Sequence, residues 1–304
     1  MKKLVLILVS VLLFVYILLS LLSFRGNYCA ERELWGIDHR LIFIAAHQES
    51  TPDYVINQLV RNYRFFAKKY SGSIYEQSAQ LMIGNLYSLR NNLPQARLEF
   101  QKAVSKDKEL SAEAVFAIAK TYEIEGHWDK ALGVYKSVIH NYSDTNTGFS
   151  TPMYLTTHLV SSGEQKIYTN EAYADALSFY QRIADKSQKS NLDYNSLRMI
   201  AICLLYQKDW SGTVQTMGEI ILKYPVAEAI KEAIKTINIL CVTKLHDYDA
   251  AINIYTQFIQ KYPDHKADPI LKKMIKDLQI LKNRKLIVQT APKGNDAYAN
   301  FSKK

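Results

Sequence analysis

Between residues 76 and 143 apolar positions recur with helical spacing, and the recurrence itself repeats. Ile83, Gly84 and Tyr87 are followed by Ala96, Phe100 and Ala103. Ile118, Ala119 and Tyr122, then Ala131, Tyr135 and Val138, stand in the same places 35 residues later. Each copy reads as two amphipathic helices joined by a short polar break. Small residues (Gly84, Ala96, Ala119, Ala131) suit points where two helices approach closely. Tyr87, Phe100, Tyr122 and Tyr135 are large enough to fill the wedge so opened. One such pair cannot bury its apolar face alone. A fixed period therefore predicts pairs stacked in a row, because an ordinary bundle gives no reason for a period.

The pattern extends in both directions. Residues 30–46 and 54–69 read as a degenerate first pair, in which Leu59, Tyr63 and Phe66 match Ala96, Phe100 and Ala103. A helix over 152–161 opens the next unit, whose second helix carries Ala176, Tyr180 and Ala184. Its extra length falls in expected loops at 145–151 and 163–170. Trp128-Asp129, Trp210-Ser211 and Tyr248-Asp249 mark the start of second helices, and Tyr70, Tyr142, Tyr224 and Tyr262 mark their ends. Thr213 and Met217 depart from the small and aromatic residues expected there. A lysine-rich helix over 268–281 fits the polar-faced cap that a stacked array needs. The expected architecture is an all-α solenoid over 30–285, with about five to six helix pairs and a C-terminal capping helix. Residues 286–304 form a basic tail with the composition of disorder.

The N-terminus is different. After Lys2 and Lys3, residues 4–24 are apolar except for Ser10, Ser20 and Ser23. About 20 such residues span a bilayer as a helix, so 1–24 reads as an uncleaved signal anchor or transmembrane helix. A cleaved signal remains the alternative, with Ser20 to Ser23 a poor cleavage site. Lys2 and Lys3 on one side, and Arg25, Arg32 and Arg40 on the other, do not decide orientation. A short basic head usually stays in the cytosol, which would place the repeats periplasmic or otherwise extracytoplasmic.

Charge sharpens this picture. The net charge is +9, yet residues 25–260 hold 25 basic and 25 acidic side chains, and residues 261–304 hold 11 basic against 4 acidic. The basic excess belongs to the ends. Residues 261–304 are thus an alternative binding element for an anionic lipid or polymer. The near absence of aromatic residues among those lysines argues against single-stranded nucleic acid. The seven histidines are scattered, the three cysteines lack zinc-ligand spacing, and no phosphate loop or nucleophile elbow occurs. Neither metal, cofactor nor catalytic residues are expected. Cys203 and Cys241 take equivalent places in consecutive units; free buried thiols are the first reading and a bridge the second.

The repeated L-G-x-x-Y…A-x-x-x-F pattern resembles the tetratricopeptide repeat. Ala30-Glu31-Arg32-Glu33-Leu34-Trp35 directly after the apolar run, the Tyr-Pro turns, and Asn146-Thr147-Gly148 leading to Pro152-Met153-Tyr154 look like bacterial envelope tetratricopeptide lipoproteins. That group includes the lipoprotein subunit of the outer-membrane β-barrel assembly machine and the Tol-system coordinator. The resemblance implies a scaffold whose concave face, lined by first helices, grips a protein or peptide. Asn85, Leu89, Lys120, Glu123, Arg198 and Tyr206 are the candidate contacts. It also makes Cys29 a candidate for lipidation, but Tyr28 in place of the small residue the group carries there, and Arg25, Gly26 and Asn27 between Cys29 and the apolar run, argue against processing; a free thiol close to the membrane is the other reading.

Overall fold

The computed structural model describes residues 9–17, 27–47, 51–161, 166–187 and 190–290. Regular structure among them is entirely helical. A helix α1 covers 9–17. It is followed by α2 (Asn27–Ala46), α3 (Asp53–Lys69), α4 (Ile74–Leu89), α5 (Leu93–Ala103), α6 (Lys108–Ile124), α7 (Trp128–Asn141) and α8 (Asn146–Ser161). Then come α9 (Lys166–Lys186), α10 (Asn191–Tyr206), α11 (Trp210–Lys223), α12 (Ala227–Leu240), α13 (Tyr248–Lys261) and α14 (Asp268–Thr290). A π-helical turn, Cys241–Leu245, prolongs α12.

Helix starts follow local chemistry. Ser73, Asn92, Asp107, Ser190, Asp209 and Asp247 each cap a helix, their side chains accepting a backbone N–H three residues on. Trp128, Trp210 and Tyr248 begin α7, α11 and α13, where the sequence placed them. Four of the turns inside pairs, those after α4, α6, α10 and α12, share a left-handed residue. Asn91, Gly126, Lys208 and His246 take positive φ values of 55°, 76°, 62° and 53°, and only at Gly126 is the residue one that adopts this region without cost. The next residue then donates its N–H to a carbonyl of the first helix: Asn92 to Tyr87, His127 to Tyr122, and Asp209 to Leu204. In the last pair Asp247 reaches back to Cys241, one residue further. The π turn absorbs that extra residue.

The chain divides into two compact units, Met1–Thr151 and Pro152–Lys304. Each is a solenoid-like array in which consecutive helices pack on one another. In the first unit, α4 also touches α2 and α6; in the second, α11 touches α13. The core of the first unit is a string of local clusters. One joins Leu34 and Ile44 of α2, Tyr63 and Phe66 of α3, and Ile83 and Leu86 of α4. Another joins Leu81, Ala96, Phe100, Ala103 and Ala114. A Cβ on Gly84 would overlap the Phe100 ring, so the glycine is required by that contact. Burying a ring the size of Phe100 contributes about 1.5–3 kcal/mol. Tyr135, Tyr180 and Tyr255 are fully buried on later second helices.

Some expectations change. Tyr87 and Tyr122 stand at the rim of the wedge, half-buried, each engaged by an arginine of the preceding second helix. Arg64 donates to the Tyr87 hydroxyl at 3.1 Å, and the Arg97 guanidinium lies 4.5 Å from the Tyr122 ring centre. A tyrosine hydroxyl keeps a polar partner more cheaply at the rim than in the core. Helix α8 starts at Asn146, with Pro152 inside it. Thr145 Oγ1 accepts the Gly148 N–H, and the Glu109 carboxylate of α6 accepts the N–H groups of Asn146 and Thr147. These bonds satisfy the orphan donors of an early start. Thr213 and Met217 are buried despite their departure from the pattern.

Among the described residues no helix is long and apolar enough to cross a membrane. Most of the expected membrane segment, residues 1–8 and 18–24, lies outside the described residues, as do 163–165 of the loop expected over 163–170 and 291–304 of the expected tail; the remainder of that loop is instead the first turn of α9, which starts at Lys166.

Candidate functional site

First helices place their small residues inward and leave polar and aromatic residues at the surface. In the first unit this surface includes Asn85 and Leu89 of α4 and Lys120 and Glu123 of α6, all half-buried. Lys120 pairs with Glu123 at 3.0 Å. The other Glu123 oxygen accepts the hydroxyl of the fully buried Tyr135 at 2.6 Å. The core thus fixes the carboxylate, and the carboxylate fixes the lysine. Asn85 points its amide toward the Met82 sulfur at 3.8 Å.

In the second unit α10 carries Arg198 and Tyr206. Arg198 pairs with Glu232 of α12 at 3.2 Å and lies 5.8 Å from the Tyr194 ring centre. Tyr206 is 60% exposed, yet its ring is stacked almost parallel on buried Tyr173 of α9, with centroids 5.1 Å apart and planes 9° apart. Eight residues separate Arg198 from Tyr206, about 12 Å along a helix. The six sequence candidates therefore fall on two units: Lys120 meets Glu123 directly, Leu89 packs against the first core cluster, and Asn85, Arg198 and Tyr206 find partners that the sequence reading did not name. Glu232 and Tyr173 were missed because neither occupies a fixed repeat position. A stacked pair contributed by two helices leaves no spacing signal.

Buried charge in these arrays is structural. Glu99, nearly inaccessible, binds Arg64 at 3.1 Å and Lys102 at 2.8 Å. Burial pushes its carboxyl upward, but hydrogen bonds and charge from Lys102, Arg64 and Gln95 outweigh burial and hold it below the ordinary value. Asp193 receives Lys223 at 2.8 Å and the Tyr224 hydroxyl at 2.5 Å. Burial pushes the Cys203 thiol up to about 12 and, with the Asp247 charge, the Cys241 thiol up to about 11. Both are free and buried, the opposite of the exposed, acidic thiol that redox or nucleophilic chemistry uses. Cys29, the candidate lipidation position, is half-buried in the first turn of α2. Among the described residues no group of three or more His, Cys, Asp or Glu side chains could hold a metal ion. Of the basic 261–304 stretch, Lys272 and Lys282 are paired with Asp268 and Asp249.

Helix α13, with the π turn before it and Tyr262 at its end, forms the second half of the last helix pair, and the family comparison falls there. Residues 244–265 match the tetratricopeptide repeat family model. With the helix pairs, the match supports a tetratricopeptide-repeat protein. No curated protein matches the chain. Tetratricopeptide arrays generally bind proteins, and a fold of this kind is typically a non-enzymatic scaffold.

Proposed function

We propose that the chain is a membrane-tethered tetratricopeptide scaffold that grips a protein or peptide partner on its first helices, within a bacterial cell envelope and with its repeats on the extracytoplasmic side. The apolar run at 4–24 supports the tether, and the resemblance to envelope lipoproteins supports the compartment. A role in envelope or outer-membrane assembly fits both. The observation that carries the binding reading is Tyr206. A large ring held open to solvent by a parallel partner ring loses little conformational freedom on contact, and tyrosine and arginine are the residues on which binding energy concentrates.

The test places a photo-crosslinking residue at position 206 of the full chain in cells, identifies the adduct, and measures its affinity for purified protein. Tyr206→Ala with Arg198→Ala should weaken binding by roughly tenfold or more. An adduct whose affinity is unmoved by that pair removes the first-helix reading. The mass of the mature N-terminus decides separately among an intact anchor, a cleaved signal and acylation at Cys29.

A further inference from the structure

Helix α2 is apolar on two sides. Its inner side places Ala30, Leu34 and Ile44 in the core with α3 and α4. On the outside, Tyr28, Trp35, Ile42 and Phe43 are 74%, 68%, 68% and 65% exposed. Helical spacing sets Tyr28, Trp35, His39 and Ile42 along one stripe, with Phe43 beside it. The rings are held in place: Trp35 stacks on His39 with centroids 5.5 Å apart, and Phe43 on His47 at 4.5 Å. A helix ending a stacked array is expected to be polar outside, and this one is not.

The charge around the stripe is one-sided. Arg32 and Arg40 are exposed against the single exposed acid Glu31. The helix's other acids are engaged from α3: Glu33 by Lys69 at 2.6 Å and by the Tyr70 hydroxyl at 3.0 Å, and Asp38 by the Tyr63 hydroxyl at 2.6 Å. The outer face is therefore aromatic, aliphatic and cationic at its flanks. The apolar run of residues 4–24 ends only two residues before α2 begins. Whatever buries that run lies close to the start of this helix. Aromatic and aliphatic residues on one helix face, with arginine at its edge, are the composition of helices that lie in the headgroup boundary of a bilayer.

We infer that the outer face of α2 rests on a phospholipid bilayer, with Trp35, Ile42 and Phe43 at the headgroup–acyl boundary and Arg32 and Arg40 among the phosphates. This rests on the membrane reading of 4–24. It adds a second, surface contact that fixes how the first helix pair stands on the membrane.

The full chain is reconstituted in vesicles of phosphatidylcholine and phosphatidylglycerol carrying brominated acyl chains. A Trp128→Phe, Trp210→Phe protein leaves Trp35 as the only indole; a Trp35→Phe, Trp210→Phe protein leaves Trp128 as the reference. Trp35 emission should be quenched at least about threefold more than that of Trp128. Ile42→Glu with Phe43→Glu, both at exposed positions, should abolish the difference while the protein stays with the vesicles in alkaline carbonate. Hydroxyl-radical footprinting of the wild-type chain gives the same answer without replacing tryptophan: Trp35 and Phe43 should be protected in vesicles and exposed once lipid is removed. Retention in carbonate with equal quenching of Trp35 and Trp128 overturns the surface contact and leaves the tether standing. Protection of Trp35 without lipid quenching shows a protein or a second copy on this face, and also overturns it. Extraction by carbonate overturns the tether and the contact together.

Discussion

At Gly84 the absence of a side chain is itself the packing element. The Phe100 ring occupies the space a Cβ would take, so Gly84→Val forces the ring and helix apart. Overpacking of this kind costs about 1–3 kcal/mol, expected as a lower thermal midpoint in calorimetry; Gly84→Ala with Phe100→Leu should recover part of the loss. Glu99 sets a second residue-scale expectation. Its folded carboxyl titrates below the ordinary 4.5 because Lys102, Arg64 and Gln95 outweigh its burial. Its stabilising contribution is therefore complete above pH 4.5 and lost as pH falls through the depressed folded value. Unfolding measured across that window should steepen with acid in the wild type, and less so in Glu99→Gln. Gly84, Ala96 and Phe100 were legible as a contact because their spacing repeats. The Glu99 cluster was not, since Arg64 and Glu99 lie 35 residues apart on positions that the apolar pattern leaves unmarked.

Among elements, the intra-pair turn is the unit that repeats most faithfully in backbone terms. Of the four such turns described throughout, three close with a bond to the carbonyl five residues back, and the one before α13 with a bond six residues back through the π turn Cys241–Leu245. Deleting the exposed Thr243 should convert that turn to the common form. The expected result is a folded chain whose thermal midpoint moves by only a few degrees, roughly 1 kcal/mol; deleting Glu125 from the already minimal turn before His127 should cost several times more. Circular dichroism melts of the two deletions check the difference. Helix α8 shows the opposite case. Pro152 reads locally as a helix start, but Glu109 and Thr145 supply acceptors to N–H groups upstream and move the start to Asn146. A carboxylate 37 residues away cannot be found by reading the segment itself.

For the whole molecule, local cores imply local failure. Leu271 of α14 is fully buried, and α14 packs on α13. Leu271→Asp should strip α14 from the array, and native-state hydrogen exchange should show lost protection in α13 and α14 with α4, α5 and α6 unchanged. Uniform loss across all helices would mean one cooperative core, contrary to the nearest-neighbour behaviour of stacked repeats.

Sequence by itself determined the helical class, the pairing of helices and the small-against-large contacts, because these depend on side-chain size at short, repeating separations along the chain. The tertiary structure decided which polar groups meet: Lys120 with Glu123 and Tyr135, Tyr206 on Tyr173, Arg198 with Glu232, and the two apolar faces of α2. Those outcomes depend on which side of a helix its neighbours cover, and helices from distant parts of the chain settle that.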